Sequence, residues 1–208
     1  MGRWKPDARG RLAKAAMELY AEQGFEQTTV AEIAARAGLT ERTFFRHYTD
    51  KREVLFYGTE MMQHLLVEAV AAAPASATAM DAVGAAFQAA GAMLQENPER
   101  VRLRDSIVSA NAELRERELI KLAALAAAVA GALRDRGIPE PAASLAAETG
   151  VAVFKVAFAR WVSEACQPDL PAILRQSMAQ LKDVVTDRLA SPAHPPRGAA
   201  SGTGARGR

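Results

Sequence analysis

Thr40, Arg42, Thr43, Arg46 and His47 fall within eight residues of one another, in the stretch "LTERTFFRHY". Hydroxyls, guanidiniums and an imidazole at that density supply hydrogen-bond donors for base edges and for phosphate oxygens. Thr28, Thr29 and Lys51 flank the cluster with the same chemistry. Within the first fourteen residues Arg3, Lys5, Arg9, Arg11 and Lys14 oppose only Asp7, a basic arm suited to phosphate as well as to solubility. The chain as a whole carries a formal charge of only +2, so it is the local concentration of donors that points to a nucleic acid.

Donors read DNA only when an element holds them in register. Thr29 and Glu32 stand three apart, the capping-box spacing, and predict a helix running through Ala37 with Val30, Ile33, Ala34 and Ala37 on its buried side. Gly38 can turn the chain with a positive φ, and Thr40 can cap a second short helix from Glu41 to about Tyr48. Leu39, Phe44 and Tyr48 then face inward and Phe45 outward. A preceding helix from about Pro6 to Gln23, stopped at Gly24, presents Leu12, Ala15, Ala16, Leu19 and Tyr20 on one face. Two short helices joined by a glycine turn and covered by a third have the arrangement of a helix-turn-helix head, although a plain helical docking hairpin has the same periodicity.

The order of residues separates the two. "TTVAEIAARAGLTERTFFRHYTDKREVL" resembles the N-terminal DNA-binding head of the TetR family of bacterial regulators, through Thr28-Thr29, Ile33-Ala34, Ala37-Gly38-Leu39-Thr40, Tyr48, Lys51 and Leu55. The resemblance implies that Thr28 or Thr29 touches DNA phosphate and that Thr40, Arg42 and Thr43 sit at the groove. It places Phe45 and His47 at the flanks and Lys51 on phosphate, while Arg46 is a donor by its place on the second short helix. Two departures matter: Phe45 stands where tyrosine is common, which removes a hydroxyl, and Tyr48 stands where phenylalanine is usual.

The rest of the chain reads as helix. Half of the 208 residues are apolar, only 6% are aromatic and alanine is abundant, which favours closely packed helices, so the fold class expected is all-α with about nine helices. The divisions expected are a head over 1–50, a helical ligand-binding and dimerisation domain over 51–190, and a disordered Pro, Gly, Ser and Arg tail over 191–208. Asp50 and Glu53 repeat the capping spacing and predict one helix continuing to Pro74. Breaks at Asn97-Pro98, Gly137-Ile138-Pro139 and Gln167-Pro168 divide the remainder into helices near 79–96, 99–110, 113–136, 140–166 and 169–190.

Stripes on the last two helices, Val151, Phe154, Phe158, Trp161 and Val162, then Leu174, Met178, Leu181, Val185 and Leu189, suit either burial or a four-helix homodimer interface. The interface expected uses Val151, Trp161, Leu174, Met178, Leu181 and Val185. A ligand pocket is expected among Met61, Leu65, Phe87, Met93, Ile107, Asn111, Phe154 and Phe158, with Gln63, His64, Gln88 and Arg104 as polar anchors. The family resemblance implies a double-stranded DNA operator and a small apolar ligand as partners. The stretch from Val101 to Arg136 looks like the subset associated with acyl-coenzyme A-like ligands.

Other classes fit less well. His47, His64 and His194 are scattered, no Cys/His set has metal spacing, and no glycine-rich phosphate loop follows a strand, so neither an enzyme, a metal nor a cofactor is expected. The single Cys166 forms no intramolecular disulfide. The charged N-terminus lacks a secretory core, and the longest nonpolar run, Leu122 to Leu133, is short for a bilayer, so a cytoplasmic protein without a membrane association is expected.

Overall fold

The computed structural model describes residues 7–164 and 169–186. Arg3, Lys5, Pro6, Cys166, Leu189, His194 and the expected tail lie outside these residues. Nine α-helices are found among them and no strand: α1 (Ala8–Gln23), α2 (Val30–Arg36), α3 (Glu41–His47), α4 (Thr59–Ala72), α5 (Ala79–Gln95), α6 (Pro98–Ala110), α7 (Ala112–Asp135), α8 (Ala142–Ser163) and α9 (Leu170–Val185).

Local chemistry sets most of the boundaries. The Asp7 carboxylate accepts from the Gly10 amide at 2.7 Å and starts α1. Thr29 and Glu32 form a complete capping box on α2, and Thr78 and Asp81 form another on α5. Gly38 adopts φ 65, the left-handed conformation that reverses the chain between α2 and α3 at no steric cost.

The helix expected from Asp50 through Ala73 is broken. Asp50 Oδ1 accepts from the Arg52 and Glu53 amides and caps a 3-10 turn over Glu53–Phe56, after which Gly58 intervenes and α4 starts at Thr59. Val54, Leu55 and Phe56 are all buried. Consecutive residues of an α-helix lie 100° apart and cannot share one apolar face. The tighter turn lets them pack at once against α1, α6 and the start of α7, and Gly58 weakens helix continuation.

Two cores result. The first joins α1, α2, α3 and the 3-10 turn through Leu12, Leu19, Tyr20, Ile33, Phe44 and Tyr48, and it also takes in Val108 of α6 and Leu114 of α7. The second is built by α4, α5, α7, α8 and α9 around Leu66, Phe87, Val129, Phe154, Trp161 and Leu174. Glycine lets its helices approach closely: a Cβ on Gly150 would lie 2.3 Å from Val83 Cγ1 and 2.7 Å from Phe87 Cε2. Helix α8 has the length and hydropathy of a membrane span, but it turns Ala143, Ala147, Phe154, Ala157 and Trp161 into this core, as an interior helix does.

Candidate nucleic-acid interface and the cavity behind it

α3 is held from its buried side and left open on the other. Phe44 is completely buried, edge-on to Phe45 and tilted against Tyr48, whose hydroxyl donates to the Arg9 carbonyl at 3.0 Å. Burial pushes the Tyr48 phenol up to about 12, so it stays a protonated donor. Thr40 caps the helix by accepting from the Thr43 amide at 3.2 Å, and their hydroxyls lie 3.1 Å apart. Outward stand Arg42, Phe45 and Arg46, with Phe45 55% exposed and neither arginine in an ion pair with a described residue. An exposed, unneutralised guanidinium pair beside an exposed ring is a surface able to meet a polyanion and base edges. His47 is half-buried and its Nε2 has no hydrogen-bond partner.

Three of the residues expected at phosphate have other work in this structure. Thr28 is buried and its hydroxyl donates to the Gly24 carbonyl at 2.8 Å, closing the loop after α1. Thr29 is exposed, but its hydroxyl is engaged with Glu32 at 2.8 Å as part of the α2 cap. Lys51 turns inward, its Nζ donating to the carbonyls of Phe25, Glu26 and Thr28 at 2.8, 3.0 and 2.9 Å. An ammonium with its three donors used is not a free phosphate ligand. A lysine just ahead of a helix looks like a phosphate contact in sequence, and only the fold shows which carbonyls converge on it.

Behind the head lies a cavity of about 610 Å³. Of the residues expected in its wall, Met61, Met93, Arg104, Phe154 and Phe158 line it. The others do not. His64 and Gln63 point to solvent, Leu65 packs on the body core, and Phe87 is buried there against Phe154. The Gln88 amide donates to the Gly84 carbonyl, Ile107 packs on the head's core, and Asn111 caps α7 while donating to Glu26 at 2.6 Å. The wall on α4 is Thr59, Met61 and Met62, all in its first turn, so the expected face was right at Met61 and ran one turn too far along the helix.

Sequence reading missed the contribution of the head. Met17 of α1, Val54 and Leu55 of the 3-10 turn, and Tyr57 and Gly58 after it all line the cavity, as do Arg100 and Lys121. The signal available was the apolar run Val54-Leu55-Phe56 followed by Gly58, too much apolar surface for one helix face. Ionic links follow the same path: Arg104 pairs with Glu118 and donates Nε to the Leu55 carbonyl at 3.1 Å, and Arg52 meets Glu113 at 2.7 Å.

The stripes assigned to a dimer are partly spent inside one chain. Trp161 and Leu174 are fully buried and Val151 nearly so, whereas Met178 and Leu181 are half-buried and Val185 is open. Periodicity identified apolar faces without telling which neighbour covers them. Apolar side chains left exposed on these helices are Leu145, Val156, Val184 and Val185.

Comparison with known proteins places this architecture. The chain is 36% identical over 81 residues to the HTH-type transcriptional regulator TcmR of Streptomyces glaucescens, which covers 39% of this chain and 36% of that one. It is 35% identical over 51 residues to an uncharacterised HTH-type transcriptional regulator of Mycobacterium tuberculosis, 24% of this chain and 27% of that one. The matched segment therefore spans about a third of these relatives' lengths or less. Over nearly the whole body the likeness is one of fold: FadR from Bacillus subtilis, solved with stearoyl-CoA, aligns with a TM-score of 0.60 at 21% identity over 83% of this chain and 96% of that one. Thermus thermophilus FadR, a TetR-family repressor solved with lauroyl-CoA, aligns at 0.55 and 22% identity over 91% and 100%. Residues 12–57 match the sequence model of "Bacterial regulatory proteins, tetR family", so the chain is similar to that family through its head and shares the all-helical fold of these solved regulators through its body.

Proposed function

We propose that the protein is a cytoplasmic homodimeric repressor that binds a palindromic DNA operator through α3 and leaves it when a small, largely apolar ligand enters the cavity. The observation that carries the reading is the shared wall: Met17, Val54 and Leu55 belong to the head's core and also line the ligand space. A ligand that packs there changes how the head sits on the body, and two heads in a dimer must keep one separation to fit two half-sites. Arg42, Phe45 and Arg46 are the base-facing candidates, with Thr40 and Thr43 as the cap that aims them and His47 at the flank. The working division is a head over 1–50 and a ligand and dimer domain over 51–190, with the 3-10 turn as the joint.

The volume lies within the usual range for small-molecule sites, and its methionine, leucine and phenylalanine wall suits an acyl chain. The acyl-CoA ligands of the FadR proteins of this fold make acyl thioesters the first class to try. The dimer is assigned to α8 and α9, with Leu145, Val156, Val184 and Val185 as its exposed apolar positions and Met178 and Leu181 at the margin. Titrating lauroyl-CoA and stearoyl-CoA into a complex of the protein with duplex selected from a random pool tests the reading. Release of roughly 5- to 150-fold in affinity corresponds to ordinary allosteric coupling. Binding of DNA that no acyl thioester or other amphiphile weakens would leave a DNA-binding protein without this control.

A further inference from the structure

Lys121 serves two neighbours. Its ammonium lies 3.3 Å from Glu53 Oε2 on the 3-10 turn, and its side chain lines the cavity. The other oxygen of Glu53 accepts from Arg117 Nε, and Arg117 also reaches Asp50 at 3.8 Å. Glu53 is thus the carboxylate that takes two cations of α7 at the joint between head and body. The side chains of Glu53 and Lys121 keep only 22% and 34% of their exposure, so the pair is less screened than one on an open surface.

The cavity wall carries Arg100, Arg104, Lys121 and Lys155 against Glu96, Asp105 and Glu118. Arg104 is taken by Glu118, while Arg100 and Lys155 make no ion pair with a described residue. A negative group entering this space meets Arg100 and Lys155, without ion-pair partners among the described residues, and one cation, Lys121, whose partner sits on the joint to the head. Sharing Lys121 with such a group weakens its hold on Glu53. A neutral molecule of the same length fills the apolar part of the wall and leaves the ion pair as it was.

We infer that the ligand is an amphiphile with an anionic end and that this end is the switch, drawing Lys121 from Glu53 and so loosening the head. The inference rests on the ligand-responsive reading above and adds that occupying the cavity and releasing DNA are separable. A ligand shifts a conformational equilibrium only by its unequal affinity for the two states, and here the inequality resides in the charged end.

Dodecyl phosphate and dodecan-1-ol share a tail and differ in the charged end. Calorimetry establishes the binding of each, and fluorescence anisotropy of a labelled duplex selected by the protein gives DNA affinity with and without it. The phosphate should weaken DNA binding about 5-fold or more, the lower edge of usual coupling, and the bound alcohol less than about 2-fold. Glu53→Gln and Lys121→Met, each compared with and without ligand and each checked for helicity and melting, should reduce the response to the phosphate to the level of the alcohol. An alcohol that releases DNA as well as the phosphate does, or two folded variants that respond like the wild type, overturns the inference and leaves ligand control standing. Should the alcohol not bind, the two variants decide. If neither compound binds, or both bind without effect on DNA, this inference falls, and the acyl-CoA titration decides separately whether ligand control stands.

Discussion

The ammonium of Lys51 sits 2.8 Å from the carbonyl oxygen of Phe25 and 4.6 Å from the centre of its ring. With Glu26 and Thr28 it completes a three-carbonyl site that ties the loop between α1 and α2 to the start of the 3-10 turn. Tyr20 closes the loop from the other side, its hydroxyl donating to the Lys51 carbonyl at 2.6 Å. Lys51→Met should therefore act on stability, lowering it by about 1–3 kcal/mol as two part-buried carbonyls lose a charged donor, read as a shifted urea midpoint. Unchanged stability with a uniformly weakened affinity and a smaller salt slope would restore Lys51 to the phosphate backbone.

Arg42 and Arg46 are exposed and free of ion pairs to described residues, so removing either leaves the head folded. Arg42→Ala should lose about 1–3 kcal/mol of discrimination at one position of each half-site, the range for a bidentate contact to guanine. Competition between the selected duplex and single-base variants measures it. A loss equal across all sequences would reassign the side chain to phosphate.

Gly150 lets α8 lie directly on α5. Gly150→Ala forces its Cβ into Val83 and Phe87, both buried, and overpacking of this kind destabilises by about 1–3 kcal/mol. A thermal or urea midpoint equal to the wild type's would mean that the two helices separate freely.

Val156 is 67% exposed on α8. In the proposed dimer Val156→Glu places a charge in the interface, so sedimentation should find a folded monomer with sharply reduced operator binding. A stable dimer for this variant would move the interface elsewhere.

What the sequence made legible is what neighbours in sequence determine. Thr29 with Glu32, and Gly38 with Thr40, specify caps and a turn within a few residues, and the structure has them where the spacing put them. Phe44 and Tyr48 follow from the period of a short helix against one core. The work of Lys51 and Thr28 depends on carbonyls brought together by folding, and for Lys51 these lie 23 to 26 residues away. Nothing in a helical period tells that Trp161 and Leu174 are covered by their own chain, nor that the cavity borrows Met17 from the head. The break after Phe56 was legible in part, since three successive apolar residues exceed one helical face.

The most direct measurement is selection of duplexes from a randomised pool by the full-length protein, followed by sequencing. The account predicts an enriched palindrome whose half-sites lie about one helical turn, or a whole multiple of it, apart, lost in the Arg42→Ala, Arg46→Ala double variant. Failure to enrich any sequence above the non-specific background, or enrichment that survives loss of both arginines, would contradict it.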